Sequence, residues 1–513
     1  MTLQAADLPD DPDVLKALLF EQQQEISHLK EQLHLLIHKR FGSSSEKHTP
    51  GQLGLFNEAE QDQPDEAVIA EIEAAEAEIQ IPAHPRKKPG RKPLPDYLPR
   101  VRVVHDLPES EKVCSCCGNT QLHQIGEEVS EQLEIIPAVA QVIQHVRPKY
   151  GCRGCDGGIK TAPLPPQPIP KSIASPGLLA HIATCKYQDG LPLYRLETTL
   201  QRSGIELPRA TMAHWMIRIG ELVQPLINLL RDKLLDAPVI HCDETTVQVL
   251  KEPGKTAQSK SYMWVQVAGG NNNQRVTLFD YNPSRSGSVP ERLLAGYRGY
   301  LQTDGYEGYA AIGRQDGVIN QGCWAHARRK FDEAIKAQGN PQKGKPPKAG
   351  KAQMGLSYIQ KLYRIEKQLT DQPPNKKLEI RQQKSLKVLA DLRKWLEKSL
   401  PQVPPKSALG KALHYLHNQW DKLVRYCDAG YLRMDNNLAE NAIRPFVVGR
   451  KNWLFSNSQA GARSSANLYS LLETAKANGV EPYTYLSRVL TELPAAESVK
   501  AIENLLPWSI QHS

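Results

Sequence analysis

The chain is 513 residues long, enough for about three domains, and its formal net charge is +8. No apolar run approaches the roughly 18 residues of a membrane span, and the N-terminus lacks the basic-then-apolar order of a signal peptide, so a soluble, cytoplasmic protein with no membrane partner is expected. The charge is split: residues 1–80 carry 5 Lys+Arg against 17 Asp+Glu, whereas the remainder carries 59 against 39, a basic body that points to a polyanionic partner such as DNA.

Taken in order, residues 12–40 are predicted to form one helix within an N-terminal segment 1–50. Leu15, Leu19, Gln22, Ile26, Leu29, Leu33 and Leu36 alternate at spacings of four and three, a heptad seam with one polar interruption. The preferred reading is a coiled coil that pairs subunits into a homo-oligomer; the alternative is an amphipathic helix docked on its own chain. Residues 51–99 hold an acidic, Ala-rich linker, followed by a proline-held basic arm. The arm's Arg86, Lys87, Lys88, Arg91 and Lys92 can follow a phosphate backbone or enter a narrow minor groove, or can be a solvated linker.

Residues 100–162 carry Cys114-Ser-Cys-Cys117 and Cys152-Arg-Gly-Cys155 on either side of a β-branched stretch predicted as a pair of strands. Cys114, Cys117, Cys152 and Cys155 can supply four thiolates to one structural Zn²⁺, with Cys116 left out. A proline-rich linker at residues 163–170 leads to a helical region, 171–236. There a helix from Leu193, a turn through Gly204 and Pro208, and a second helix from Arg209 suggest a helix-turn-helix that presents Arg209 to DNA. A plain helical hairpin fits the same pattern.

From residue 237 the pattern changes to strands. Segments 239–243, 262–268 and 275–281, a short helix at 291–295, strands at 299–303 and 318–323, then a helix from Trp324 predict a mixed α/β core over 237–337 and 431–460. A Lys- and Gly-rich loop at 339–351 opens a helical insertion, 338–430. The core closes on Asp435-Asn-Asn-Leu-Ala-Glu440-Asn-Ala-Ile-Arg444-Pro445, predicted as a short helix starting near Asp435 and stopped by Pro445. Its Asn436, Glu440 and Arg444 share a face. Residues 461–513 are expected to be helical.

Asp243 and Asp304 fall in or at the end of strands, and Glu440 on a helix. If the strands are neighbours, two like charges lie side by side and need cations. Two Mg²⁺ ions, with Mn²⁺ as a substitute, would suit three carboxylates and phosphate oxygens, the chemistry of phosphodiester cleavage and strand transfer. A glycosidase pair is the weaker alternative, because it leaves the basic arm and cysteine knuckles unexplained. Arg450, Lys451 and Trp453 follow the last acid, two cations and an aromatic that can hold phosphate and stack a base.

Several blocks carry a family resemblance. They are Arg40-Phe-Gly-Ser-Ser-Ser-Glu-Lys, Gly90-Arg-Lys-Pro-Leu-Pro, the two cysteine knuckles, Asp243-Glu-Thr, Thr303-Asp-Gly-Tyr, Cys323-Trp-Ala-His-Ala-Arg-Arg-Lys-Phe and the Asp435 stretch with Gly449-Arg-Lys-Asn-Trp-Leu-Phe. Through them the chain resembles bacterial insertion-sequence-66 family transposases over almost its full length. The resemblance implies a ribonuclease-H-like catalytic core with a helical insertion, and Asp243, Asp304 and Glu440 as ligands of Mg²⁺. It implies His326 near the DNA strand ends, with Arg328, Arg329 and Arg444 among the DNA-binding residues. It implies element ends and target DNA as partners, accessory proteins of the same element, and a nucleoid-associated place of action. A catalytically inactive or domesticated DNA-binding protein, and a nuclease without strand transfer, are the competing readings. The loop at 339–351 matches no family motif.

Overall fold

A computed structural model of the chain describes residues 11–41, 140–150, 160–270, 274–338 and 350–510. The basic arm, the four knuckle cysteines and nearly all of the Lys-rich loop lie outside the described residues. By internal contacts the chain divides into two units, one of residues 1–63 and 163–513, the other of residues 64–162. In the second, Lys149–Tyr150 and Lys160–Thr161 form a two-residue antiparallel ladder.

The first unit opens with helix α1 (Pro12–Phe41). Four helices, α2 (Pro176–Tyr187), α3 (Leu193–Arg202), α4 (Arg209–Leu222) and α5 (Gln224–Leu235), precede the sheet. Each starts where the sequence offers a device for it. Ser175 accepts a hydrogen bond from the Leu178 amide, and prolines sit at the N-caps of α3 and α4, where no amide hydrogen is needed. Gly204, at φ +76°, makes the turn between α3 and α4.

The sheet contains β1 (Val239–Lys251), β2 (Lys260–Gly269), β3 (Thr277–Asn282), β4 (Gly299–Gln302) and β5 (Val318–Gln321), with helix α6 (Ser288–Leu293) between β3 and β4. The strand order is β3-β2-β1-β4-β5. The first three strands pair antiparallel, as consecutive hairpins do, and β4 and β5 join in parallel. The strands begin and end within a few residues of the sequence expectation, except that β1 runs on to Lys251, so Asp243 lies well inside it. β2 is buried along nearly its whole length, which is why its run from Met263 to Ala268 lacks polar–apolar alternation.

Helix α7 (Trp324–Ala337) leaves β5 and enters the insertion: α8 (Lys351–Gln368), α9 (Pro374–Ile380), α10 (Leu386–Ser399), α11 (Ala408–Asn418) and α12 (Trp420–Val424). These helices enclose their own apolar core, including Phe331, Ile359, Leu392, Leu396, Leu413 and Tyr426, separate from the core around the sheet. The chain then returns to the sheet through α13 (Asn437–Trp453) and a short strand, β6 (Ser456–Ser458), parallel to the far end of β1. It ends in α14 (Gln459–Ala477), α15 (Pro482–Glu492) and α16 (Val499–Glu503). Gly479, at φ +75°, closes α14.

Pro445 does not stop its helix: α13 passes through it to Trp453. An internal proline costs about 3 kcal/mol. Ile443 and Phe446 are buried on the sheet side, and that burial contributes roughly 3–6 kcal/mol, enough to offset the lost bond. Phe446 packs on Phe279 of β3 and edge-on to Tyr469 of α14, with ring centroids 6.5 and 5.4 Å away.

The α3–turn–α4 pair forms, but α4 is half core. Met212, Trp215, Met216 and Ile219 are buried, and Gly220 meets α14 so closely that a Cβ there would lie 2.4 Å from that of Ser464. Arg209, His214 and Arg218 remain on its exposed side.

Helix α1 lies against α7 of its own unit. Its Glu31 carboxylate accepts the Ala408 amide hydrogen at 3.0 Å, and a ring nitrogen of His34 lies 3.2 Å from the Ala337 carbonyl oxygen. That contact uses the Leu18, His28, Glu31 and Leu35 side of the helix; Leu19, Ile26, Leu29, Leu33 and Leu36 of the heptad seam face outward, each at least half exposed.

Candidate active site

Asp243 and Asp304 come together because β1 and β4 are parallel neighbours. His241 is in register with Gln302, so each aspartate lies two residues further along its own strand direction. Asp304 stands just past the end of β4 and starts a turn, its Oδ1 accepting the Tyr306 amide hydrogen at 2.8 Å. Glu440 sits in the first turn of α13, whose N-terminus favours negative charge.

Helix α13 is pinned at its start by buried Asn436. Its side-chain amide donates to the Cys242 carbonyl at 2.8 Å, and its carbonyl oxygen lies 3.2 Å from Nδ1 of His241. Burial holds the His241 pKa down to about 3, so the ring is neutral and Nδ1 is the donor. The polar face expected of Asn436, Glu440 and Arg444 is therefore divided: Asn436 fastens the helix to β1 and is withdrawn from water. The loop ahead of it is tied down as well. Gln302 and Gln321 both donate to the Arg433 carbonyl, and the Trp324 amide donates to Met434 O at 3.1 Å.

Electrostatics favour a cation among the three acids. The Asp243 carboxyl is pushed well above its ordinary pKa, first by burial and then by the charges of Glu244, Asp304 and Glu440. A buried acid raised by three neighbouring carboxylates fits an oxygen-coordinated divalent ion, and Mg²⁺ accepts such a donor set. The three predicted acids do not all approach within 4.8 Å of one another. Among the described residues the cluster that does is Cys323, His326 and Glu440.

His326 stands one turn into α7, with Nδ1 3.8 Å from Glu440 Oε1. Its pKa is held down to about 4, chiefly by burial and then by Arg329, so its imidazole is neutral. Arg329 reaches Glu440 Oε2 at 3.9 Å, and Arg328 is 3.7 Å from Asp332, four residues along the helix. Arg450 is turned inward, donating to Thr245 and Thr246 of β1. Trp453 is half-buried, with its ring edge-on to Phe446 and the Lys186 ammonium 5.4 Å from its centroid. Lys451 is exposed and Arg444 partly buried on α13; Arg209 stands apart, on α4.

Glu244 is a site residue that no sequence expectation singles out. Its side chain is 2% exposed and accepts two hydrogen bonds from Arg285, at 2.9 and 2.6 Å, and one from Tyr309 at 2.7 Å. The Arg285 guanidinium also stacks 3.8 Å over the Tyr306 ring. This network holds the Asp304 turn against β1. The one sequence signal for it was the adjacency of Asp243 to Glu244 and the repeated tyrosines after Asp304. Tyr415, from the insertion, donates to the Asp304 carbonyl at 2.9 Å, a contact no local pattern announces.

Comparison with known proteins identifies the family to which the chain is similar. The profile described as "Transposase IS66 family" matches residues 171–464, and an "IS66 C-terminal element" matches residues 470–508. A "zinc-finger binding domain of transposase IS66" matches residues 111–156, which include all four knuckle cysteines, and "Transposase C of IS166 homeodomain" matches residues 28–103. Among curated relatives, uncharacterized protein y4qI of Sinorhizobium fredii is 31% identical, covering 100% of this chain and 99% of its own. Uncharacterized protein y4jD of the same organism is 30% identical, covering 99% of this chain and 98% of its own. No solved structure matches the chain. Among the described residues no helix is long and apolar enough to cross a membrane.

Proposed function

Because the chain belongs to the IS66 transposase family, we infer that it is the DNA transposase of a mobile insertion sequence, binding the element's terminal inverted repeats and carrying out metal-dependent strand cleavage and transfer. The observation that carries this reading is the convergence of Asp243 and Asp304, from adjacent parallel strands, with Glu440, close enough that the charges of Asp304 and Glu440 both act on Asp243. A ribonuclease-H-like core is supported by the strand order, three antiparallel strands followed by two parallel ones, with the acids on the first and fourth strands and a returning helix.

Asp243, Asp304 and Glu440 would hold Mg²⁺. When bound, a Mg²⁺ pair supplies Lewis acidity for in-line displacement at phosphorus. Arg329, beside Glu440, and its neighbour Arg328 on α7 would hold the phosphate backbone, while neutral His326 would orient the strand end. Water displaces the 3′-oxygen at the element end, and the freed 3′-hydroxyl then attacks a target phosphorus, one P–O bond forming for each that breaks. The cysteine knuckles, through a structural Zn²⁺, and the basic arm would grip the ends. The outward heptads of α1 would join a second copy.

The test is Mg²⁺-dependent cleavage and joining of a labelled element-end duplex to a target plasmid, wild type against Glu440→Gln. Loss of both steps with end binding retained supports the reading. Equal activity in the two proteins refutes the assignment of Glu440. Cleavage without joining would indicate a nuclease.

A further inference from the structure

Cys323, His326 and Glu440 form a donor set that oxygen-coordinated magnesium does not explain. Cys323 is the buried residue that caps α7, His326 lies three residues further, and Glu440 enters from the first turn of α13. One sulfur, one imidazole nitrogen and one carboxylate oxygen lie within 4.8 Å of one another. His326 Nδ1 is buried without a hydrogen-bond partner. The Cys323 sulfur accepts the Asn436 amide hydrogen at 3.2 Å, the kind of outer contact that steadies a metal-bound thiolate.

Hard cations such as Mg²⁺ take oxygen and leave thiolates alone. Zn²⁺ takes sulfur, nitrogen and oxygen in tetrahedral sites, with water completing the fourth position. We propose that Cys323, His326 and Glu440 form an inhibitory binding site for a thiophilic divalent cation, Zn²⁺ above all, distinct from the knuckle cysteines. The inhibition, though not the binding, rests on the transposase reading above, because Glu440 is shared: Zn²⁺ on this triad withdraws the third carboxylate from the Mg²⁺ site. On binding, the Cys323 S–H bond breaks, its proton leaves to solvent, and a sulfur–zinc bond forms without any change of oxidation state.

The test uses the full-length protein with its knuckle cysteines first saturated with Zn²⁺ and excess metal removed. Co²⁺ is then titrated in and followed by its thiolate charge-transfer absorption. Wild type should bind one further Co²⁺ with that band, and Cys323→Ser should lack it. In a second arm, Zn²⁺ is titrated into Mg²⁺-supported end cleavage, each protein being judged against its own zinc-free rate. Cys323→Ser should need more Zn²⁺ for half-inhibition by a factor of about ten or more. No additional band in wild type overturns the proposal, and so does an equal band in Cys323→Ser. Equal zinc sensitivity of the two proteins overturns the inhibitory role. A cysteine-dependent band in a protein that never cleaves DNA supports the site and refutes the transposase reading instead. Should Cys323→Ser fail to fold, His326→Gln replaces it in the cobalt arm, with loss of the band expected and its persistence overturning the site.

Discussion

Replacing Asn436 with alanine removes the two hydrogen bonds that seat the helix bearing Glu440. The side chain is fully buried, and its loss strands two buried groups, the Nδ1 donor of His241 and the Cys242 carbonyl. Each such group left unpaired costs about 1–3 kcal/mol, so Asn436→Ala should destabilise the protein by roughly 2–6 kcal/mol. Urea unfolding followed by tryptophan fluorescence measures this as a lower midpoint. Glu440 lies one turn further along the same helix, so cleavage at saturating Mg²⁺ should also fall, by about tenfold or more. A stability loss under about 0.5 kcal/mol, with cleavage unchanged, would refute the idea that this contact positions Glu440. The same pair gives an acid sensitivity of definite sign. His241 takes up its proton near 6.5 when unfolded and only near 3 when folded, so its contribution to stability is lost as pH falls from about 6.5 towards 3.

Other consequences follow from the same geometry. Because its folded pKa is raised, the Asp243 carboxyl makes metal-free protein less stable as pH rises above the ordinary carboxylate range. Asp243→Asn should therefore raise the metal-free melting temperature and abolish its Mg²⁺-dependent increase; a melting temperature that falls instead would contradict the repulsion. Arg381 is 2% exposed and donates to Glu366 and to the carbonyls of Tyr426, Ala429 and Leu432. Arg381→Ala should cost about 3–5 kcal/mol in denaturant titration, with a cost below 1 kcal/mol counting against this role. Leu454 is held at φ +66° in a three-residue turn closed by the Phe455 amide on the Trp453 carbonyl, and its side chain is 64% exposed. Leu454→Gly should relieve strain and stabilise the chain by up to about 1 kcal/mol, whereas a destabilisation would show that the Leu454 side chain contributes contacts. Leu29→Asp with Leu36→Asp, both on the outward seam of α1, should leave the melting temperature nearly unchanged while lowering the mass seen by light scattering; an unchanged mass would argue against pairing through this face.

Which segments along the chain become strands and which become helices could be read locally, because alternation, helical period, prolines and glycines act over a few residues. Asp243, Asp304 and Glu440 are candidates on the same local grounds, since acids placed at apolar strands and on a helix stand out wherever they occur. Family membership was legible for a similar reason: long, uncommon blocks such as the one from Cys323 survive in linear order. Partners distant in sequence came from the folded chain alone. Pro445 sits inside its helix because the sheet buries Ile443 and Phe446 around it. Asn436 turned out to be a fastener, since its partners His241 and Cys242 lie about two hundred residues away. The same holds for Glu244, whose charge is balanced by an arginine beyond two intervening strands. It holds equally for the Cys323–His326–Glu440 cluster, which the insertion separates in the chain and the return of α13 to the sheet brings together. A local pattern fixes where a chain turns and which face is apolar; pairing across a hundred residues depends on which packed arrangement satisfies every buried donor and charge, and only the folded chain settles that.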